Sequence, residues 1–434
     1  MMHLLSTWKP TKNNDLKKAA FYLLFVCNVL IVEGKEPNDT LFVSKNNPAH
    51  FSTISEAIAS LSMYSYHRVI IYVENGIYHE KIKIDRDYIT LVGESRENTR
   101  IEYNQLREDW DKNPDAIGPA VVNIFADEVI LKNLTIENTQ PQVGPHAFAI
   151  YGTGTRTILK NCTVKSKGGD TVSLWNYKHG MYYHDSCYFE GAVDFVCPRG
   201  WCYISNSSFF EHKNTAAVWH AAPVNRDQKM VLKNCGFQGA DSFYLARHHY
   251  DAHFYFIDCR FPALMRNKSI EHVFDTEHPE KNRPYLYGDR YYFYRCSRNA
   301  GNYDWFVDNL QVWPKNTTPQ TVTPEWTFDG NWNPETKELL EVKKITYEKG
   351  SLYLYFDALV MPLGKLIIKS QSGVLFTYLT GVGRDRLEFT SSEKFHPDDL
   401  SKPFTIVSGH IQSIAATIEP QKTPIIFTVS ETSY

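Results

Sequence analysis

Short blocks in which apolar and polar residues alternate recur through the middle of the chain. Each block has a polar turn residue, a small or apolar residue and then the alternation of a short β-strand. The blocks read LKNLTIEN, LKNCTVKS, HDSCYFEG, ISNSSFFE, LKNCGFQG, FIDCRFPA and, more loosely, FYRCSRNA. Aligned on Leu134, Cys162, Cys187, Ser207, Cys235, Cys259 and Cys296, they are 28, 25, 20, 28, 24 and 37 residues apart. Irregular spacing of this kind is typical of stacked β-coils with variable loops, so we predict a right-handed parallel β-helix.

The segments on either side of the repeat predict two further structures. An amphipathic helix from about Thr53 to Met63, followed by strands at Val69–Val73 and Tyr88–Val92, predicts an N-terminal helical cap on the open end of the β-helix. After Trp332 the repeat ends, and short strands broken by Gly, Asp and Pro predict a small β-sandwich over residues 336–434. The stretch GVLFTYLTGVGRDRLEF is similar to bacterial Ig-like modules. The predicted β-helix domain covers residues 36–335.

The first 35 residues have the pattern of a secretory signal. Lysines precede the apolar run AAFYLLFVCNVLIV, and Glu33 and Gly34 follow it. The run is short for a membrane span, although an uncleaved anchor is the alternative. We therefore expect a secreted, extracellular protein, or a periplasmic or cell-surface one in a bacterium.

Composition narrows the function classes. The chain has 43% hydrophobic and 14% aromatic residues, enough for a sizeable core. Its formal charge of -3 gives no strong attraction to nucleic acid or membranes. We expect a monomer with no nucleic-acid partner and, after signal cleavage, no membrane partner.

Cys27 lies in the predicted signal, and the other seven cysteines fall into two groups. Those at the repeat position predict a stacked, buried ladder of small apolar residues. Cys197 and Cys202 lie outside the ladder and close together, so one loop-closing disulfide between them is possible. No Cys and His grouping has the spacing of a zinc site, so we predict no metal.

Two acidic residues, Asp170 and Asp194, stand in apolar, β-prone sequence 24 residues apart. If that interval is one coil, they are neighbours, because strands of successive coils lie about 4.7–4.9 Å apart. Two adjacent carboxylates cannot both ionise cheaply, so one should hold a proton while the other stays charged. Such a pair can supply a nucleophile and a general acid/base. Arg247 lies at a comparable phase and could bind the charged carboxylate with two hydrogen bonds.

Several motifs resemble the pectin methylesterases, over most of residues 40 to 335. GAVDFV, GGDTVSLW and YLARHH are similar to the three catalytic motifs of that family, and FSTISEAIAS and NGIYHEKIKI to its opening motifs. The resemblance implies a parallel β-helix without a cofactor, acting on pectin (homogalacturonan). It also implies that Asp194 is the nucleophile, Asp170 the general acid/base and Arg247 the partner of Asp194.

The chain departs from the family at three positions. Gly169 replaces the Gln before the acid/base Asp, and His146 replaces a second Gln. His249 replaces a Trp that stacks on sugar rings. Losing one donor to the oxyanion costs about 10²- to 10³-fold in rate, so we predict that His146 donates in place of one Gln. Candidate substrate contacts are Trp175, Phe195, Trp219 and His249.

The sequence therefore predicts a carboxylic ester hydrolase that removes methyl esters from pectin. Two alternatives stay open. A noncatalytic pectin-binding β-helix is favoured by the two missing Gln residues. A divergent esterase or thioesterase on the same fold would act on another acyl substrate.

Overall fold

The computed structural model describes residues 40–62, 68–282, 285–310, 317–335, 340, 342–413 and 426–427. All of them belong to one compact unit, Asp39–Tyr434. The predicted signal segment lies outside the described residues. Within the described part of the chain, no helix is both long and apolar enough to cross a membrane.

In the described residues, three stacks of parallel strands form a parallel β-helix. Elements are numbered in chain order. Sheet 1 contains β1 (Thr40–Val43), β2 (Val69–Val73), β5 (Ile89–Gly93), β8 (Ile130–Lys132), β11 (Thr157–Lys160), β14 (Met181–Asp185), β16 (Trp201–Ser205), β19 (Met230–Lys233), β22 (Phe254–Ile257) and β25 (Tyr291–Tyr294). Sheet 2 contains β3 (Gly76–His79), β6 (Thr99–Tyr103), β9 (Thr135–Asn138), β12 (Thr163–Ser166), β15 (Tyr188–Gly191), β17 (Ser208–Glu211), β20 (Gly236–Gly239), β23 (Arg260–Phe261) and β26 (Ser297–Arg298).

Sheet 3 has two parts. One part contains β4 (Ile82–Ile84), β7 (Val122–Ile124), β10 (Ile150–Gly152) and β13 (Val172–Leu174). The other contains β18 (Ala216–Trp219), β21 (Tyr244–His248) and β24 (Glu271–His272). Single bridges from Val172 to Val196 and from Val196 to Val218 join the parts. The coil that carries Asp194 therefore crosses sheet 3 without a full strand.

The pairing of sheet 2 confirms the repeat alignment made from the sequence. The residue after each aligned position pairs with its equivalent on the next coil: Thr135, Thr163, Tyr188, Ser208, Gly236, Arg260 and Ser297. The aligned cysteines are free and buried, as the ladder prediction requires. They pack in one core with the apolar residues of all three sheets.

Among the described residues, three helices lie outside the sheets: α1 (Ile54–Ala59), α2 (Arg107–Lys112) and α3 (Pro324–Thr327). Short 3-10 helices occur at Pro279–Asn282, Asp304–Phe306 and Pro397–Ser401. Helix α1 begins with a capping box between Thr53 and Glu56 and contacts β1, β2 and β4. Ile54 and Ala57 of α1 are buried at the first coils, and its role as a cap stays a prediction.

The chain after the last coil covers the outer face of sheet 1. Val322 and Phe328 pack on the tyrosines of that face. Asp329 accepts hydrogen bonds from Trp201 Nε1 at 2.8 Å and from Lys229 Nζ at 2.5 Å. Residues 317–335 thus belong structurally with the β-helix.

The C-terminal residues form a separate, antiparallel sheet with its own core. Its described strands are β27 (Val342–Glu348), β28 (Ser351–Ser370), β29 (Leu375–Thr380), β30 (Arg384–Thr390), β31 (Phe404–Ser413) and β32 (Ile426–Phe427). The first half of β28 pairs with β27 and β30, and the second half with β29 and β31. The strands therefore form one continuous sheet around this core, whereas the predicted β-sandwich would have two separate sheets. The Ig-like relationship and the domain boundaries stay predictions.

Candidate active site

Sheet register makes Asp170 and Asp194 neighbours. Val172 pairs with Val196 on the next coil, and each acidic residue lies two positions before its valine. The backbone N–H of Asp170 donates to Val193 O at 3.1 Å, which joins the two turns directly. The 24-residue interval is therefore one coil, as the sequence predicts.

Arg247 binds Asp194 with two of its nitrogens. Nε lies 3.1 Å from both carboxylate oxygens, and Nη2 lies 2.8 Å from Oδ2. Arg247 reaches this position from β21, where it pairs with Trp219 of β18. This contact fixes the orientation of the Asp194 carboxylate and favours its charged form.

Two opposing effects set the ionisation of Asp194. Asp194 is only 8% exposed. This burial, with a contribution from the Asp170 charge, raises the pKa of Asp194 to about 6. Arg247 and Arg199 oppose this rise because each stabilises the carboxylate. Asp194 is thus mainly ionised at neutral pH although it is buried.

Asp170 has a different set of partners. Cys197 Sγ donates to its Oδ1 at 3.5 Å, and His146 Nε2 lies 3.5 Å from its Oδ2. Burial raises the pKa of Asp170, while the charges of His146 and Arg199 oppose the rise. Because no arginine forms a hydrogen bond with Asp170 in the described structure, it is the carboxyl better suited to carry a proton.

His146 lies beside Gly169. The two residues form a parallel bridge, and the His146 side chain is 50% exposed. A Cβ atom at Gly169 would come within 3.2 Å of His146 Cδ2 and of Val193 O. Any side chain at residue 169 would therefore start in close contact with the His146 imidazole.

The register also decides which candidate side chains point into the core and which point outward. Thr171 and Phe195, each one residue after a catalytic candidate, point inward, and Phe195 is fully buried against Phe209. Ser173, Cys197, Trp219 and Arg247 form the next outward row. The prediction that Phe195 contacts substrate is wrong, because its ring belongs to the core.

Trp219 and His249 are neighbours, with ring centres 6.2 Å apart. Trp219 is only 4% exposed, and the Arg199 guanidinium lies 3.6 Å from its ring centre. Arg199 therefore covers one face of the Trp219 ring, and the buried ring leaves little surface for the substrate contact predicted for Trp219. His249 is half-buried, and its Nδ1 lies 2.9 Å from Val273 O. Its role in substrate binding stays a prediction.

Arg199 is a site residue that the sequence did not reveal. Its Nη1 donates to Cys197 O at 2.6 Å, and its Nε donates to Tyr177 Oη at 3.2 Å. Its guanidinium also lies 5.0 Å from the Trp175 ring centre. Its charge acts on both Asp170 and Asp194. The segment CPRGW has the composition of an exposed turn, and only the structure places this arginine against Trp175 and Trp219.

Trp175 lines a cavity of about 280 Å³ together with Phe148 and Tyr151. Its ring packs edge-on against Tyr151 at 5.3 Å and Phe148 at 5.8 Å. Arg107, whose backbone N–H donates to His146 O at 2.9 Å, closes one side of this cavity. Aromatic walls of this kind suit a sugar ring, so Trp175 remains the strongest candidate for a substrate contact.

Cys197 and Cys202 do not form the proposed disulfide. Both are free and buried. Cys197 points to Asp170 and lies 3.3 Å from Ser173 Oγ, whereas Cys202 is part of β16 and packs in the core. Among the described residues, no group of three His, Cys, Asp or Glu side chains is placed to hold a metal ion.

Comparison with known proteins finds pectinesterases. Residues 40–253 match the family model described as Pectinesterase. Probable pectinesterase 49 from Arabidopsis thaliana is 31% identical over 166 residues, which are 37% of this chain and 44% of that protein. These matches show that the chain is similar to proteins of the pectinesterase family. Asp170, Asp194 and Arg247 all lie within the matched segment. The chain spans about half the length of the curated relatives it matches.

Solved pectin methylesterases share the β-helix. One in complex with a hexasaccharide aligns with a TM-score of 0.55 at 19% identity, over 68% of this chain and 98% of its own. Pectin methylesterase PemA from Erwinia chrysanthemi aligns with a TM-score of 0.54 at 18% identity, with the same coverage. The parallel β-helix prediction is confirmed by this shared fold.

Proposed function

We propose that this chain is a carboxylic ester hydrolase that removes methyl esters from pectin. The observation that carries the proposal is the Asp194 carboxylate held by Arg247, one coil away from Asp170, whose side chain is 14% exposed. The pectinesterase match of residues 40–253 supports the reaction class. A solved protein with this fold is a pectin methylesterase in complex with a hexasaccharide, which supports a polysaccharide as substrate.

The reaction would begin with attack of Asp194 on the carbonyl carbon of the methyl ester. The C–O bond to the methoxy group breaks as Asp170 gives it a proton, and methanol leaves behind an anhydride between Asp194 and the galacturonate. Asp170, now charged, takes a proton from water while the oxygen attacks the anhydride. The products are free galacturonate and the Asp194 carboxylate, and Asp170 is protonated again.

The negative oxygen of both tetrahedral intermediates needs a donor. His146 is half-exposed, and its Nε2 is on the Asp170 side of the imidazole. We assign it the role of donor in place of a family Gln, and Gly169 can contribute only its backbone. Preorganised donors of this kind are worth about 10²- to 10³-fold in rate.

We further assign the chain to the extracellular space, because its proposed substrate lies outside cells and residues 1–35 have the pattern of a secretory signal. The monomeric state stays a prediction. Size-exclusion chromatography and detection of the protein in culture medium test these two assignments.

Methanol release from highly methylated pectin tests the function. Wild type should release methanol, and Asp194→Asn should lower the rate by at least about 10³-fold because the nucleophile is lost. Asp258→Asn is the matched control, because Asp258 occupies a turn position that Asn fills on other coils. It should keep wild-type activity.

Two other outcomes identify the alternatives. Retention on pectin by wild type and Asp194→Asn, without methanol from either, would indicate a noncatalytic pectin-binding protein. That alternative is favoured by the absence of both family Gln residues. Hydrolysis of other esters or thioesters, but not of methylated pectin, would indicate a divergent esterase on the same fold.

A further inference from the structure

The turn that presents Asp194 has an unusual backbone. Val193 and Asp194 both have positive φ angles, +48° and +55°. A β-branched residue in this region is a genuine outlier, and such conformations persist only where the surrounding structure holds them. The contacts of Val193 therefore determine how precisely Asp194 is presented.

Val193 connects the turns of both acidic residues. Its carbonyl accepts the backbone N–H of Asp170 at 3.1 Å. Its own N–H donates to Thr215 Oγ1 on the following coil, also at 3.1 Å. The neighbouring Asp194 N–H donates to Ala216 O at 2.7 Å. A shift of Val193 would thus move both carboxylates relative to Arg247.

The hydroxyl of Thr215 is itself oriented by a buried acid. Thr215 Oγ1 donates to Glu211 Oε1 at 3.3 Å, and the backbone N–H of Lys213 donates to the same oxygen at 2.9 Å. Glu211 is fully buried at the end of β17, and its Oε2 is a buried atom without a hydrogen-bond partner in the described structure. Burial raises the pKa of Glu211 to about 9, so the side chain is neutral at physiological pH.

We infer that Thr215 and Glu211 are positioning residues for catalysis: together they hold the strained Val193 turn that places Asp194 and Asp170. This role rests on the proposed function of the two aspartates. A hydroxyl is required at residue 215, because it must accept from Val193 N–H while it donates to Glu211. In the described structure neither side chain forms a hydrogen bond with the Asp170 or Asp194 carboxylate, so their effect passes through the turn.

Replacing Thr215 separates the hydroxyl from the packing. Thr215→Val keeps the shape but removes the acceptor for Val193 N–H, and should lower kcat about tenfold with KM nearly unchanged, since small misplacements of reacting groups reduce the rate strongly. Thr215→Ser keeps the hydroxyl and should restore the rate to within about twofold of wild type. Thr135→Val is the control, because it also removes a buried threonine hydroxyl, one that donates to Arg96 O at 2.7 Å. Thr135 lies in β9, two coils before β15, the strand that precedes the Val193 turn. It should leave kcat unchanged.

Glu211 is tested in the same way. Glu211→Gln keeps an acceptor for Thr215 and Lys213, so kcat should stay within about twofold of wild type. Glu211→Leu removes the acceptor and should lower kcat about as much as Thr215→Val does. Equal kcat in Glu211→Leu and Glu211→Gln would remove Glu211 from the inference.

Hydrogen–deuterium exchange of the peptide that contains Val193 gives a readout that does not depend on catalysis. Thr215→Val should exchange faster there than wild type and Thr215→Ser, at equal global stability. If wild type hydrolyses no ester but this difference is seen, the proposed function fails while the hold on the turn stands. Unchanged exchange, or wild-type kcat in Thr215→Val, would overturn the inference.

Discussion

At the scale of single residues, the ionisation of Asp194 should set the acid limit of activity. A carboxylate attacks only when it is ionised, and the pKa of Asp194 is about 6. Activity should therefore fall as the pH drops through about 6. Arg247 lowers this pKa, so its removal in Arg247→Met should move the acid limb of kcat/KM upward by about 1 pH unit or more. The pH dependence of kcat/KM for methanol release measures this shift.

Arg247→Lys is the informative partner of that variant. It keeps a positive charge but loses the paired contact of Nε and Nη2 with the carboxylate, so its acid limb should lie between those of wild type and Arg247→Met. Superimposable limbs in all three proteins would show that Asp194 is not the group that limits activity at low pH.

The same scale shows what the sequence could and could not predict. Asp170 and Asp194 were predictable because their spacing equals one coil, which the register confirms. Phe195 was misassigned because two consecutive residues with positive φ precede it and turn its side chain inward. Arg199 was missed because an arginine beside proline and glycine looks solvent-exposed until its coil is placed between its neighbours.

At the scale of elements, one turn position explains much of the repeat. The residue before each aligned position has a positive φ angle on seven successive coils: Asn133, Asn161, Ser186, Asn206, Asn234, Asp258 and Arg295. Asn and Asp tolerate this conformation better than other non-glycine residues. Asn161 Nδ2 donates to Asn133 Oδ1 at 2.9 Å, and Asn234 Nδ2 to Asn206 Oδ1 at 2.8 Å. The sequence predicts these elements well because turn chemistry and strand alternation point to the same register.

The end of β17 should make stability depend on pH. The pKa of Glu211 is about 9 in the folded protein, against a usual value of 4.5. Between these values the unfolded chain loses a proton that the folded chain keeps, so the contribution of Glu211 to stability is complete below pH 4.5 and is lost as the pH rises to 9. Glu211→Gln cannot ionise and should escape this loss.

Denaturant unfolding at several pH values measures the effect. The free energy of unfolding of Glu211→Gln relative to wild type should rise between pH 5 and pH 8 by more than about 1.4 kcal/mol, the equivalent of one pKa unit. The comparison across pH matters more than the value at one pH, because the amide also changes the hydrogen bonding of the buried Oε2 position. A constant difference across this range would mean that Glu211 is ionised in the folded protein.

At the scale of the whole molecule, the C-terminal sheet packs on the first coils of the β-helix. Met361 of β28 forms a buried cluster with Ile70 and Val92 on sheet 1. Thr40 Oγ1 donates to Gly383 O, and the Arg384 guanidinium lies 5.9 Å from the ring centre of Phe42. The sequence pattern predicted the strands of this sheet but not where it packs, because partly apolar faces do not specify their partner.

This packing predicts that the C-terminal sheet stabilises the β-helix without contributing to catalysis. A chain ending at residue 335 would expose Ile70 and Val92 on the outer face of sheet 1, where apolar surface is costly and prone to association. It should unfold at a lower temperature than the full chain but keep its kcat for methanol release at 25 °C, because Asp170, Asp194 and Arg247 lie on coils distant in sequence from β2 and β5.

In the full chain, Met361→Ala should destabilise by about 2 to 3 kcal/mol, since it removes a buried side chain from this contact. Leu352→Ala, in the separate core of the C-terminal sheet, is the matched control. Calorimetry should show that Met361→Ala lowers the unfolding temperature of the β-helix more than Leu352→Ala does. An identical unfolding temperature for the truncated and full chains would mean that the sheet and the β-helix fold independently.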